Sequence, residues 1–533
     1  MQNNRLVTSG SEPIQVVSQG TFGQDDMLSA SWPKLPTPTP TPRGEPSSTP
    51  SANDTWMSNL KRWIESCESH RSIDAYYSSS FHKAHPFAPT KKYMQSRIQS
   101  QDASAIPLYA AMSYVGCMYQ KSSLERDLKS LALSHTYPDG KSLDVPTPQN
   151  IYQVATLLLV SIVTLGNGEM EQAGDYLAKA ASLSIDIGMD HAESLGGNQD
   201  TEFTELWKRT YWYLFIMAEA LQDMGDPRDF RLDEPALDFP LPCSDDPGGS
   251  CEGAQDSSSM TLTRFDLADF EDQGHVFSSL TYLIALVRIS QAIKKLDGHP
   301  NERDDRAVVR ANGLLMNWKL HLPAEKQRVV TKSGEIDEIM LQSHLMFFRL
   351  RIFVHTSLSD LSADGNERLH ARARFEAADS GVSLLTLHPS LTRLSPLNIK
   401  QLSRCAEIGL KTAAPAESDF NARDHLRLVL GALKQVSVVW KTAELESRAL
   451  KSMARTAYCI PSPRVQVEPK PTPATSIDLF SGEVDFQIHD TVSLGQPGDA
   501  GITADQGNAS TSMPLFEGEL GALDDTSVFS WQL

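Results

Sequence analysis

Residues 151–188 read IYQVATLLLVSIVTLGNGEMEQAGDYLAKAASLSIDIG, and two helices joined by a turn can be recognised in this stretch. Residues 151–165 are nearly continuous in apolar side chains, which is typical of a helix buried on most sides. The Gly-Asn-Gly at 166–168 predicts a turn, after which apolar residues recur at helical spacing as far as Ile187. Gly188 stands where a helix C-cap is expected. The stretch therefore predicts two antiparallel helices in direct succession.

The same periodicity continues on both sides of this pair. The segment DTWMSNLKRWIESC opens with Asp54 as a candidate N-cap and places Trp56, Leu60, Trp63, Ile64 and Cys67 on one face. A third helix is expected from Glu202 to Met224. Further helices are expected at 275–296, 303–320, 334–358, 367–387, 397–412 and 423–457. Period-two alternation is scarce, so we predict an all-α fold, a large bundle of antiparallel helical hairpins, over residues 54–458.

The composition changes at both ends of this helical region. Residues 1–53 are polar and include LPTPTPTPRGEPSSTPS, in which alternating prolines favour polyproline II over helix or sheet. Residues 459–533 lose the helical pattern. We predict disorder in both segments, the first as a Pro/Thr-rich linker and the second as an acidic tail.

The acidic tail combines negative charge with aromatic side chains. From Pro471 to Leu533 it carries ten Asp or Glu and no Lys or Arg. Its aromatic residues are Phe480, Phe486, Phe516, Phe529 and Trp531. Acids keep such a segment solvated, and interspersed aromatics can anchor it on a partner. We interpret it as an activation domain with these five anchors. The alternative is a solubilising tail, which has no need of aromatics.

Net charge and cysteine spacing limit the binding partners. The formal charge is −19, and no Lys/Arg cluster is dense enough to bind a phosphate backbone, so direct DNA binding is not expected. None of the six cysteines forms a C-x-x-C pair, so a structural zinc site is not expected. The start, MQNNRLVTSGSE, has no apolar signal region, and residues 151–165 are too short to span a bilayer. We expect an intracellular protein without membrane contact.

Motifs for catalysis are not found. The sequence has no G-x-S-x-G elbow, no Gly-rich phosphate loop and no H-E-x-x-H. His82 and His85 are three residues apart but have no acidic or cysteine companion nearby. The acids of NERDDRA at 301–307 are flanked by arginines and indicate a solvated helix start, and Cys117 lies in an apolar helix. We predict no catalytic residue, no metal site, no cofactor and no enzymatic activity.

Four stretches carry a further pattern. IDAYYSSSFHKAHPFAPTKKYM contains His85, Pro86 and Pro89 in a His-Pro-x-x-Pro turn. AGDYLAKAASLSIDIGMD and ELWKRTYWYLFIMAEALQDMGDPRDFRLDEPALDFPLP cover most of 173–242. Weaker stretches surround Trp318–Pro323 and Trp440. The residues that match are His85, Pro86, Pro89, Glu205, Lys208, Arg209, Tyr211, Trp212, Gly225, Pro227, Leu241, Pro242, Trp440 and Ala443.

These stretches resemble the regulatory middle-homology domain of fungal six-cysteine binuclear zinc transcription factors. The resemblance covers roughly 54–458 and implies that the motif is chiefly architectural. Tyr211 and Trp212 would fill the core, Arg209 would pair with Glu205 one turn away, and Gly225-x-Pro227 would end the helix. Two departures stand out: Ala218-Glu219 replaces the family's usual Asp, and Gly225-Asp226-Pro227 replaces a common Gly-Arg-Pro.

The zinc cluster that reads DNA in this family is not in the sequence. Either the cluster was lost, or the gene model is incomplete, or the protein reaches DNA through a partner; zinc enters only with an upstream cluster. The resemblance implies a nuclear transcriptional regulator, and the acidic tail indicates an activator that recruits coactivators. Association with a secondary-metabolite gene cluster is common in the family. It could dimerise or bind a DNA-binding partner. The alternatives are a helical adaptor that binds peptides with no promoter role and, third, an all-helical enzyme.

Overall fold

The computed structural model describes most of the central part of the chain. The described residues are 63–134 except Glu65, 150–191, 200–230, 239–242, 260–267, 276–297, 305–357, 367–412 except Pro389, and 418–458. Residues 194, 232, 244 and 245, which lie between these ranges, are also described. The Pro/Thr-rich segment 1–53 and the acidic tail 459–533, with all five of its aromatic anchors, lie outside them. The domain boundaries at 54 and 458 therefore stay predictions.

The described part of the chain contains sixteen α-helices and no β-strand. The helices are α1 Cys67–Ser78, α2 Ser80–Ala84, α3 Lys91–Gln99, α4 Ile106–Gln120, α5 Glu125–Ser134, α6 Ile151–Gly166, α7 Met170–Asp186, α8 Thr201–Asp223, α9 Leu262–Leu267, α10 Ser279–Asp297, α11 Asp305–Leu320, α12 Glu338–Ser357, α13 Glu367–Ser383, α14 Pro396–Thr412, α15 Ser418–Val436 and α16 Lys441–Tyr458. Short 3₁₀ turns precede α4 and follow α13. Two isolated bridges, Pro240–Thr261 and Val330–Ile336, are the extended pairings among these residues. The all-α prediction is confirmed.

Helices α6 and α7 form the predicted hairpin at the centre of the bundle. Every residue of α6 except Gln153 is buried, as its continuous apolar sequence requires. Gly168 turns the chain with φ +83°, and the buried Ser161 hydroxyl donates to the Ala173 carbonyl at 2.7 Å. Helix α6 also packs on α4, α8, α14 and α16, so it joins the N-terminal helices to the C-terminal ones.

The end signals of the next helices are confirmed in position. Gly188 follows α7 with φ +72° and Gly225 follows α8 with φ +99°, both in the left-handed region that glycine tolerates best. Helix α8 begins after Asp200, whose carboxylate accepts from the Phe203 amide at 3.1 Å. The bounds of both helices differ from the prediction by one residue at each end.

Two predictions about helix limits and faces are wrong. The helix expected at 423–457 is two helices, α15 and α16, because the chain turns at 437–440 to bury Trp440. Cys67 was placed on an apolar face, yet it is exposed, since α1 starts anew after Ser66, whose hydroxyl caps the Ser69 amide at 3.1 Å. For the helix expected at 423–457, burial of the Trp440 indole outweighs the helical periodicity of the sequence.

The close contact between α1 and α4 depends on Gly116. A Cβ atom there would lie 1.8 Å from the Ser72 carbonyl oxygen, which belongs to the backbone and cannot swing away. We expect Gly116→Ala to lower the free energy of unfolding by about 2 kcal/mol, because the two helices must separate. Denaturant titration measures it.

Gly431→Ala is the matched control. Nothing lies within 4 Å of its Cβ position on α15, so alanine should raise stability by about 0.5–1 kcal/mol through helix propensity. Equal effects of the two substitutions would contradict the tight α1–α4 contact.

Candidate functional site: the Arg209 clamp

The long helix α8 is the element around which the predicted motif assembles. Its sequence is apolar on nearly every side between Phe203 and Leu221, and Trp207 and Trp212 are at most 1% exposed. A polar side chain on a buried helix is costly unless it has a hydrogen-bond partner. Arg209, Trp212 and Tyr213 on α8 each donate a hydrogen bond to the backbone of another segment.

Glu205, Lys208 and Arg209 form a buried charge cluster one helical turn long. Glu205 lies 3.2 Å from the Lys208 ammonium and 3.1 Å from Arg209 Nε, and all three side chains are buried. The Glu205–Arg209 pair was expected from the i, i+4 spacing and is confirmed. Because this pair is desolvated, each partner keeps the other from being an uncompensated buried charge.

Arg209 also holds two segments that are far apart in the sequence. Its Nη1 donates to the Pro86 carbonyl at 3.1 Å, and its Nη2 donates to the Ser244 carbonyl at 2.7 Å. The fixed fork of guanidinium donors suits this task, since a lysine could not reach both carbonyls and the carboxylate in one plane. The His-Pro turn and the segment after Leu241-Pro242 thus meet on α8.

Two neighbours on α8 repeat the same pattern. Trp212 Nε1 donates to the Pro240 carbonyl at 3.0 Å, and the Tyr213 hydroxyl donates to the Ala84 carbonyl at 2.8 Å. We call Glu205, Arg209, Trp212 and Tyr213, with the carbonyls they bind, the Arg209 clamp. Each of the two attached segments is therefore held at two points.

The other motif residues surround the clamp or lie at its edges. Tyr211 packs against Phe239 with ring centroids 4.7 Å apart, which confirms its place in the core. The Pro242 carbonyl accepts from the Ser278 hydroxyl at 3.1 Å, and the Pro89 carbonyl accepts from the Tyr77 hydroxyl at 2.7 Å. Both prolines contribute carbonyl acceptors from non-helical backbone, outside the helices of the bundle.

His85 occupies the core beside the clamp. It is fully buried, its Nε2 lies 3.0 Å from the Ser395 hydroxyl, and its ring is 4.7 Å from that of Phe81. Burial, helped by the neighbouring His82, lowers the pKa of His85 to about 3, so the ring is neutral. Among the described residues, no group of three or more His, Cys, Asp or Glu side chains is arranged to hold a metal ion.

Trp440 lies on the far side of Phe81 from His85. Its Nε1 donates to the Leu394 carbonyl at 3.1 Å, and its ring is 5.9 Å from that of Phe81. A Cβ at Gly166 would lie 2.4 Å from the Trp440 ring, so this glycine at the end of α6 admits the indole. Trp440 stands at the residue before α16 rather than inside a helix.

The Gly-Asp-Pro at the end of α8 has a defined structure. Pro227 is exposed beyond Gly225, whereas Asp226 is 5% exposed and pairs with Arg228 at 2.7 Å. Arg228 in turn reaches Asp175 on α7 at 2.9 Å. Where the family commonly has Gly-Arg-Pro, this chain has its basic residue two positions later, at Arg228. The ion pair of Arg228 with Asp175 joins the end of α8 to α7.

A second buried network was missed by the sequence analysis. Glu219, 1% exposed, lies 2.7 Å from Lys294 on α10 and accepts a 2.5 Å hydrogen bond from Ser290. Burial and the nearby Asp223 raise the pKa of Glu219. Asp223 also pairs with Arg349 on α12. The signal in the sequence was an acid inside an apolar helix, four residues before another acid.

A third network fixes the segment that leads into residues 246–259. The Lys326 ammonium lies 2.6 Å from Asp245 and 3.3 Å from Asp337. Burial alone would lower the pKa of Lys326, but these carboxylates raise it above its ordinary value. Together with the Leu241 amide, which donates to the Met260 carbonyl at 2.7 Å, these contacts hold both ends of that segment.

The clamp is suited to holding segments rather than to chemistry. Its polar groups are hydrogen-bonded to carbonyls or paired with opposite charges. An open depression of about 620 Å³ lies elsewhere on the surface, beside Tyr114, Glu125, Lys129 and Asn167. No helix in the described part of the chain is long and apolar enough to cross a membrane.

The chain is similar to known fungal transcription factors. Residues 69–321 match the family model described as fungal specific transcription factor domain. The chain is 25% identical over 410 residues to the C6 finger domain transcription factor iacK of Pestalotiopsis fici. The alignment covers 73% of this chain and 59% of that relative, so the chain spans less than two thirds of its length. No solved structure matches.

Replacing Arg209 tests the clamp. In Arg209→Met, Glu205 and the two carbonyls lose a buried partner, and we expect the free energy of unfolding to fall by about 3–5 kcal/mol. The matched control is Arg372→Met, which removes an exposed i, i+4 partner of Glu376 and should cost less than about 0.5 kcal/mol. Denaturant titration compares them; losses of similar size would contradict a clamp role.

The depressed pKa of His85 predicts a pH dependence. The unfolded state binds a proton near pH 6.5 and the folded state only near pH 3, so stability is lost as pH falls through this window. Between pH 7 and pH 4.5 the native chain should lose roughly 2–3 kcal/mol more than His85→Gln. Denaturant titrations at both pH values measure the difference, and parallel losses would exclude His85 as the source.

Proposed function

We propose that this chain, whose residues 69–321 belong to the fungal specific transcription factor domain family, is a nuclear transcriptional activator that acts through its acidic tail. The observation that carries the proposal is the family match across the Arg209 clamp, which joins Pro86, α8 and residues 240–244 within those residues. A regulator of this family works by contacts with other macromolecules.

The helical domain is assigned the role of a frame. The side chains of the Arg209 clamp are buried and bonded to other segments, so they fix the relative positions of these segments and leave the surface to partners. Helix α16 ends at Tyr458, and the acidic tail follows at the next residue. The frame therefore presents the tail from the end of a helix that packs on α6, α14 and α15.

The tail is assigned the contact with coactivators. The ten acids of residues 471–533 keep it solvated, and Phe480, Phe486, Phe516, Phe529 and Trp531 supply apolar contacts for the groove of a partner. Such segments become ordered on binding, so their affinity per contact is modest and several weak anchors act together.

DNA contact is assigned to a six-cysteine zinc cluster outside the 533 residues, carried by a longer form of the chain or by a partner protein. The whole chain's formal charge of −19 argues against autonomous binding to a phosphate backbone. The relative's printed name, a C6 finger domain transcription factor, supports this division of labour. Zinc enters the proposal only with that cluster. The proposed target is a secondary-metabolite gene cluster.

The tail can be tested apart from the frame. Residues 459–533 fused to a heterologous DNA-binding domain should raise transcription of a reporter at least ten-fold over that domain alone. Alanine at the five aromatic anchors should remove most of this activity, because the remaining acids solvate the segment without anchoring it.

The control replaces aliphatic residues of the same tail, with Val492, Leu494 and Ile502 changed to alanine, and should keep the activity. A tail that is inactive in this assay would favour the adaptor, a helical scaffold with no promoter role. Equal loss in both sets would mean that bulk apolarity rather than aromatic anchoring is responsible.

A further inference from the structure

Helix α11 has an apolar stripe on its exposed side. Val309, Met316 and Leu320 are 70%, 36% and 69% exposed, and with Gly313 they follow the spacing i, i+4, i+7, i+11. At 100° per residue these four positions lie within about 60° of one another. The opposite face, with Ala311, Leu315 and Trp318, is buried against the bundle. We call Val309, Gly313, Met316 and Leu320 the α11 stripe.

Gly313 is the second unusual feature of the stripe. A glycine in the middle of an exposed helix costs about 1 kcal/mol relative to alanine, and nothing lies within 4 Å of its Cβ position. No contact within the described chain explains it. A bare backbone at the centre of an apolar stripe permits close approach by another helix.

The charges beside the stripe identify the kind of partner. Arg306, Arg310 and Lys319 are exposed along its two edges. Arg310 and Lys319 are about 180° apart around the helix, one on each edge, so both edges of the stripe carry positive charge. An acidic amphipathic segment fits the same surface with opposite charge.

The acidic tail contains one segment with the matching pattern. Within IDLFSGEVDFQI, residues 477–488, the apolar residues Ile477, Phe480, Val484 and Ile488 have the spacing i, i+3, i+7, i+11. A helix with this spacing would place them on one face, as long as the α11 stripe, with Asp478 and Asp485 together on one flank.

We propose that residues 477–488 dock on the α11 stripe of the same chain as an amphipathic helix. The 18 residues between Tyr458 and Ile477 reach about 60 Å when extended, comparable to the diameter of a folded domain of roughly 400 residues. The linkage keeps the segment at an effective concentration in the millimolar range, so a weak contact suffices. The docking is argued only from the surface of α11 and the sequence of residues 477–488. Its consequence, that docking covers the coactivator anchor Phe480, rests on the proposed function.

Photo-crosslinking in the full chain tests the docking. With p-benzoylphenylalanine at position 316, irradiation should give an intrachain product whose crosslinked peptide lies within residues 471–492. The control places the same group at position 369, where Leu369 is 66% exposed on α13 among basic residues but has no apolar stripe. We expect at least ten-fold less product to the tail from position 369.

Charge and shape give two further arms. Arg310→Glu combined with Lys319→Glu should lower the product from position 316 at least five-fold, as should Phe480→Ala combined with Val484→Ala. Because all four residues are exposed or in the tail, folding should be retained, and circular dichroism checks it. A product between two chains would assign the stripe to a second copy and overturn the proposal. So would equal yields from positions 316 and 369.

The outcome separates this proposal from the proposed function. A crosslink to residues 471–492 with a tail that fails to activate a reporter would leave the docking in place and remove the activator. An active tail without the crosslink would do the reverse.

Discussion

The structure depends on one buried charge, the guanidinium of Arg209. An arginine in the middle of an apolar bundle is tolerated only when every donor has a partner, and here the partners come from Glu205, Pro86 and Ser244. The requirement acts in both directions. It stabilises the arginine, and it forces two segments more than a hundred residues apart to reach α8, since any other arrangement leaves a desolvated charge. Such a constraint selects one packing among the many that helical hairpins allow.

Elsewhere in the structure, single buried polar side chains also join elements that are distant in the sequence. Glu219 joins α8 to α10, Lys326 joins residues 244–245 to α10 and α12, and Trp440 joins α16 to the segment before α14. In each case a polar atom inside the bundle reaches an element distant in sequence. The helices supply apolar faces that could pack in several registers, and these contacts distinguish among them.

Much of this could be predicted from sequence, for identifiable reasons. The α6–α7 hairpin was recoverable because its apolar run, its Gly-Asn-Gly turn and Gly188 are all local signals. The Glu205–Arg209 pair follows from i, i+4 spacing alone. The carbonyl partners of Arg209 could not be predicted, since a backbone acceptor leaves no trace in residue type. The periodicity favours one helix over 423–457, but the chain turns before Trp440 because the indole of this residue packs against Gly166. Glu219 went unrecognised since an acid in an apolar helix looks like a departure until Lys294 is placed beside it.

We propose that the chain regulates transcription at promoters. Chromatin immunoprecipitation of the full chain with an epitope tag, followed by sequencing of the recovered DNA, tests this role in the cells that express the protein. We expect enrichment at a limited set of promoters, with lower transcript levels of the adjoining genes when residues 459–533 are removed. A chain that recovers no promoter above the untagged background would contradict it and favour the helical adaptor.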